Sequence, residues 1–128
     1  MTYELTVKRD IIAQHYLTVP DPGPEGVPHS HHFDVAVRFS GPSLDEYGYL
    51  VDIDEVNEIL DGIQKRYRDT LMNDLPEFAG ENPSVERFAR SVGDRIDDQL
   101  SDPNPTALTV RIWEDESAWA SHRRSLGE

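Results

Sequence analysis

Two histidines separated by one residue, His29 and His31, open an alternating run, Phe33-Asp34-Val35-Ala36-Val37-Arg38-Phe39. Alternation with Phe33, Val35, Val37 and Phe39 on one side predicts a strand with one buried face. Positions i and i+2 of a strand share a face, so His29 and His31 point one way and His32 the other. Two imidazoles side by side supply half of a metal site. A third donor has to come from elsewhere in the chain. The chain has no cysteine, which removes thiolate ligands, disulfides and a thiol nucleophile from consideration.

The elements that must position these rings follow from length and patterning. At 128 residues, 37% hydrophobic and 9% aromatic, residues 1–128 are expected to form one globular domain. The net charge of −13 comes from 25 acidic residues against only two lysines, Lys8 and Lys65, and a set of arginines. Such a surface repels nucleic acid and anionic membrane, so neither is an expected partner. It also suits a high-salt cytoplasm, where counterions screen self-repulsion. No apolar run reaches the length of a membrane span and no signal-peptide core is present, so the expected location is the cytoplasm.

In chain order, Thr2–Tyr16 reads as a long first strand, with a bulge expected where Ile11-Ile12 breaks the alternation. The Pro- and Gly-rich stretch Pro20–Pro28 is a loop into the His-bearing second strand, which Ser40-Gly41-Pro42 closes. After a turn at Asp45–Tyr49, the stripe Ile53, Val56, Ile59, Leu60, Ile63, Tyr67, Leu71 predicts a helix capped by Asp52 or Asp54. A connector, Asn73–Glu81, precedes a second helix with Asn82 as N-cap and Pro83 at its first position. Asp102-Pro103-Asn104-Pro105 ends that helix; Ala107–Glu114 is the third strand and Ala118–Arg123 a short fourth. The order ββααββ is an α+β two-layer arrangement, an antiparallel sheet with two helices on one face.

With these elements in order, the chain resembles the 6-pyruvoyltetrahydropterin and 6-carboxytetrahydropterin synthase family. The family's A-x-H-x-L strand end is matched by Ala13-Gln14-His15-Tyr16-Leu17, and its H-G-H-N-Y by His29-Ser30-His31-His32-Phe33. G-x-x-x-D-F is matched by Gly48-Tyr49-Leu50-Val51-Asp52-Ile53. L-N-D-x-P-x-F followed by N-P-T-x-E is matched by Met72–Phe78 and Asn82–Glu86, and the last strand ends on Glu114 as the family's does. The resemblance implies the tunnelling fold, with a four-stranded antiparallel sheet joining its neighbours' sheets into a barrel. It also implies a homo-oligomer, usually a hexamer, with active sites between subunits and a dihydropterin substrate.

The resemblance makes His15, His29 and His31 the metal ligands. Three neutral imidazoles with an open fourth position suit a catalytic zinc. Glu114 matches the glutamate that anchors the pterin; a carboxylate can accept two parallel N–H bonds from an amino-pyrimidine edge. Two departures stand out. The family's cysteine base is absent, and Glu25 takes its place in the loop, as glutamate does in a branch that cleaves the dihydroneopterin side chain to 6-hydroxymethylpterin. A glutamate works as a base if burial raises its pKa; a solvated loop carboxylate is the alternative. The family's Asp-His pair aligns with Arg68-Asp69, leaving Asp69 as an acid/base group or as a charge at a helix end. The expectation is a zinc-dependent lyase on 7,8-dihydroneopterin or its triphosphate, in pterin, folate or deazapurine (queuosine or archaeosine) biosynthesis. A pterin-binding paralogue with altered or lost catalysis, and a non-catalytic tunnelling-fold assembly, are the alternatives.

Overall fold

In the computed structural model, residues 2–127 are described. Strands β1 (Tyr3–His15) and β2 (His29–Gly41) are followed by helices α1 (Ile53–Tyr67) and α2 (Val85–Gln99), then by β3 (Ala107–Trp113) and β4 (Trp119–Ser125). The strands form one antiparallel sheet in the order β1-β2-β3-β4. The period-two residues Phe33, Val35, Val37 and Phe39 of β2 are all buried, together with Leu108, Val110 and Ile112 of β3. On that face α1 packs against β1, and α2 packs against β3 and β4. Each large apolar side chain so buried contributes about 1.5–3 kcal/mol.

The β1–β2 ladder runs unbroken from Tyr3 opposite Gly41 to His15 opposite His29. The expected bulge at Ile11-Ile12 is therefore absent. Ile11 is buried in the core and Ile12 is simply an exposed apolar residue on the other face. What disguised the alternation is Arg9, which occupies a helix-facing position and reaches out to Asn57 and Asp61 of α1.

Helix α1 begins where Asp52 accepts hydrogen bonds from the backbone N–H groups of Asp54 and Glu55. It stops at Tyr67, a turn earlier than a stripe ending at Leu71 predicts. Asp69 takes a left-handed backbone with φ 51°. The chain then lies along the outer edge of β1. Asp69 N–H donates to the Ile12 carbonyl at 2.8 Å and Gln14 N–H donates to that of Thr70 at 2.9 Å, so edge groups that would otherwise lack partners are satisfied.

Helix α2 is capped by Ser84, whose hydroxyl accepts from Arg87 N–H, and not by Asn82 as expected. Asn82 instead accepts from Thr18 N–H at 2.9 Å, fixing the segment that follows β1. Pro83 thereby stays outside the helix, and its carbonyl is free for another use.

Candidate metal centre and active site

The register that buries Phe33 also assembles three imidazoles. His15 and His29 are directly opposite each other, His31 faces Ala13, and all three lie on the helix-facing side of the sheet. Their ring centroids stand 4.7, 5.0 and 4.8 Å apart, close to an equilateral triangle, with the Phe33 ring against His15 and His31. One ligand atom from each ring lies within 4.8 Å of the other two.

The backbone sets which nitrogen faces the middle. His15 Nδ1 is 2.9 Å from the carbonyl oxygen of Pro83, and His29 Nδ1 is 2.9 Å from that of Val27. A carbonyl can only accept, so each Nδ1 carries the proton and each Nε2 keeps its lone pair. Both Nε2 atoms are buried without a hydrogen-bond partner. Orphaned acceptors in a buried site cost stability unless something fills them. Burial lowers the His15 pKa from its ordinary 6.5, and the nearby His29 and His31 rings add to this against the Pro83 bond. A neutral ring with a fixed tautomer is the form that binds a metal. Three nitrogen donors from rigid strands fit zinc with an open fourth position.

Two carboxylates stand at the rim. Glu114, just past β3, is half-buried, and its Oε1 lies 3.9 Å from His31 Nε2. Its N–H donates to the Ala118 carbonyl, closing the turn into β4. Glu25 is exposed on a short 3-10 turn, Gly23–Gly26, held to the end of β1 by a 2.7 Å bond from Leu17 N–H to the Glu25 carbonyl. Despite its loop setting, its carboxylate lies within 4.8 Å of donor atoms of His31 and Glu114. Five of the six expected site residues thus converge within one chain.

Asp69 is the sixth, and within the chain it lies apart from the imidazoles. It lines a cavity with Asp10, Ile12, His32, Gln64 and Arg68. Its left-handed turn at the end of α1 carries it past the edge of β1.

Sequence reasoning missed the groups that hold the imidazoles. The Pro83 and Val27 carbonyls carry no side-chain signature. Asn73 was visible as a motif residue without a role, and Asn82 as a helix cap, which it is not. Asn73 grips Tyr16, accepting from its N–H at 2.9 Å and donating to its carbonyl at 3.0 Å. The two asparagines therefore pin the segment that leaves His15.

Comparison with known proteins gives the family and the fold. The family model described as 6-pyruvoyl tetrahydropterin synthase matches residues 4–125. A Bacillus subtilis protein named 6-carboxy-5,6,7,8-tetrahydropterin synthase is 25% identical over 98% of this chain and 88% of its own length. The solved 6-pyruvoyltetrahydropterin synthase of Plasmodium vivax, in a form whose catalytic glutamate is replaced by alanine, superposes with a TM-score of 0.81 at 14% identity, covering 98% of this chain and 99% of the other. That of Caenorhabditis elegans gives a TM-score of 0.81 at 15% identity, over 98% and 97%. At these identities the structural likeness is one of fold, and the fold is the tunnelling fold that the family resemblance implied. With a family match across nearly the whole length, the chain belongs to the 6-pyruvoyl tetrahydropterin synthase family.

Proposed function

We propose that the chain is a zinc-dependent lyase acting on the side chain of 7,8-dihydroneopterin or its triphosphate, in pterin, folate or deazapurine biosynthesis. The observation that carries the reading is the pair of buried, unpartnered Nε2 atoms of His15 and His29 in a triangle completed by His31. Zinc, when bound by these three rings, supplies Lewis acidity toward the oxygens of the pterin side chain. The chain's own groups do the rest. Glu114 accepts the paired N–H bonds of the amino-pyrimidine and so orients the ring with its side chain over the imidazoles. Glu25, at the rim beside His31, takes the proton from the substrate in place of the missing cysteine. The replaced glutamate of the Plasmodium vivax protein, described as catalytic, supports a carboxylate in this role.

Asp69 serves as an acid/base group for a neighbouring subunit's site, which accounts for its distance from the imidazoles of its own chain. The assembly is a homo-oligomer, a hexamer, with sites between subunits. Support comes from β4 and from the part of β1 before Ile12, sheet edges able to pair with further strands. Among the described residues no helix is long and apolar enough to cross a membrane. A high-salt cytoplasm is the proposed setting, supported by the charge of −13.

The second reading, a pterin-binding paralogue, is favoured by one observation: the chain has neither a cysteine nor a histidine beside Asp69. Product analysis with purified protein, zinc, high salt and each of the two pterins separates the readings. Turnover that disappears in Glu25→Gln supports the lyase. Tight pterin binding with no product supports the paralogue, and protein purified without chelator that carries and binds no metal overturns both.

A further inference from the structure

The alternation that turns His31 toward the helices turns His32 to the opposite face of the sheet. There it meets two carboxylates that the ladder has brought together. Asp10 and Asp34 are directly opposed across β1 and β2, and His32 is two residues along on the same side. Two like charges facing each other across a ladder are destabilising. Among the described residues, the only ion-pair partner of either carboxylate is the His32 ring.

The spacing is close to that of donors gathered round an ion. His32 Nε2 is 3.5 Å from Asp10 Oδ2 and 3.8 Å from Asp34 Oδ1, and one donor atom from each residue lies within 4.8 Å of the others. These separations are long for direct hydrogen bonds. Metal–ligand bonds of about 2.0–2.2 Å in a tetrahedral set place neighbouring donors about 3.3–3.6 Å apart, so the Asp10 contact already matches and the Asp34 contact would shorten slightly. All three side chains spring from hydrogen-bonded strands and not from loops, so the backbone sets the spacing of their stems, while the exposed side chains are free to draw in around an ion. A cavity of about 390 Å³ opens beside Asp10 and His32, with room for water to complete the coordination.

We propose that Asp10, His32 and Asp34 form a second divalent-cation site, on the opposite face of β1 and β2 from the imidazole triangle. One imidazole with two carboxylates suits a borderline first-row cation such as zinc or manganese; calcium prefers an all-oxygen set and copper(I) wants sulfur. The ion would neutralise the opposed carboxylates and clamp together the two strands whose other face carries the three histidines. The site does not depend on the reaction assigned to those histidines.

The test is zinc titration of chelator-stripped, buffer-exchanged protein by calorimetry and equilibrium dialysis, with far-ultraviolet circular dichroism as the check on folding. Two equivalents per chain are expected in the wild type. Asp34→Asn and His32→Ala, each at an exposed position, should each weaken one equivalent by more than about tenfold. His29→Ala should remove the other equivalent and leave this one. A single equivalent that disappears in His29→Ala and persists in Asp34→Asn and His32→Ala overturns the proposal and leaves the trio as an internal ion cluster. Two equivalents that persist in both Asp34→Asn and His32→Ala overturn it as well, by placing the second ion elsewhere. A single equivalent lost in Asp34→Asn and kept in His29→Ala would uphold this site while sinking the three-histidine reading.

Discussion

The Nδ1 of His15 sits 2.9 Å from the carbonyl oxygen of Pro83, a residue 68 positions away that belongs to no helix and no strand. That single bond fixes the ring's tautomer and turns its Nε2 toward His29 and His31. It exists because α2 starts at Val85, leaving the Pro83 carbonyl outside the helical ladder.

Truncating His15 therefore has two costs. His15→Ala removes a proposed ligand and leaves the Pro83 carbonyl buried without a donor. Zinc affinity at the three-histidine site should fall by more than about a hundredfold, and the metal-free protein should lose about 1–3 kcal/mol of stability. His29→Ala should match the first loss with little of the second, because its partner carbonyl, Val27, is exposed. Zinc titration paired with urea unfolding checks both. Equal destabilisation by the two variants would contradict this role of Pro83.

Glu25 and Glu114 should separate kinetically. Glu25→Gln is expected to lower kcat by about 10²–10⁴-fold while leaving zinc and pterin binding in place. Glu114→Gln keeps the shape but loses the charge and one of two acceptors. It should weaken pterin binding by about 10–100-fold, equivalent to the loss of one charge-assisted hydrogen bond. Fluorescence quenching with the pterin, alongside steady-state rates, distinguishes the two. Unimpaired turnover in Glu25→Gln removes it from the chemistry.

Acid stability should hinge on Glu77. Burial pulls its carboxyl up, but hydrogen bonds from Arg66 and Tyr67 and the charge of Arg95 outweigh that, leaving it at about 2 from its ordinary 4.5. A carboxyl held lower in the folded state than in the unfolded one stabilises fully above pH 4.5, and that contribution drains away as pH falls toward 2. The side chain is only 18% exposed, and the loss is on the order of 3 kcal/mol. Urea unfolding of metal-free protein at stepped pH should show this slope in the wild type and not in Glu77→Gln. Parallel pH profiles would refute the assignment. The Tyr67 hydroxyl, pushed up to about 12 by burial and by its bond to Glu77, adds a matching alkaline limit above pH 10.

The charge of −13 makes a prediction about solvent. Much of the arginine is already committed, as in the pairs of Arg90 with Glu81 and Arg124 with Asp94, and 25 acidic residues outnumber the 12 lysines and arginines that could neutralise them. The melting midpoint should rise steadily from dilute buffer to molar salt as self-repulsion is screened. A midpoint independent of salt would count against a high-salt habitat.

The fold was legible wherever period and face coincide. Phe33 to Phe39 announced β2, and the stripe from Val56 to Tyr67 announced α1. The imidazole triangle was legible because residues two apart must share a strand face, although uniting His15 with the pair took a family likeness. Illegible parts had backbone causes. The Pro83 carbonyl has no residue signature, Asn82 was read as a cap when its partner is the distant Thr18, and Asp69 was carried away by a left-handed turn. Glu25 was ambiguous because a loop's path is set by bonds such as Leu17 to Glu25, which no local pattern encodes.

The thirteen-residue pairing of β1 with β2 has no bulge to absorb an error. Inserting or deleting one residue between Phe33 and Phe39 would exchange inside for outside along the length of the strand beyond it. His31 would trade places with His32, and a triangle of rings would become a row of stranded ones. Changes of length within Pro20–Pro28 leave that parity intact. An evolving or engineered version of this chain can therefore change the length of that loop without turning the histidines to the other face, so long as Glu25 and Val27 keep their places, while every strand residue between the histidines and the far end of β2 is counted.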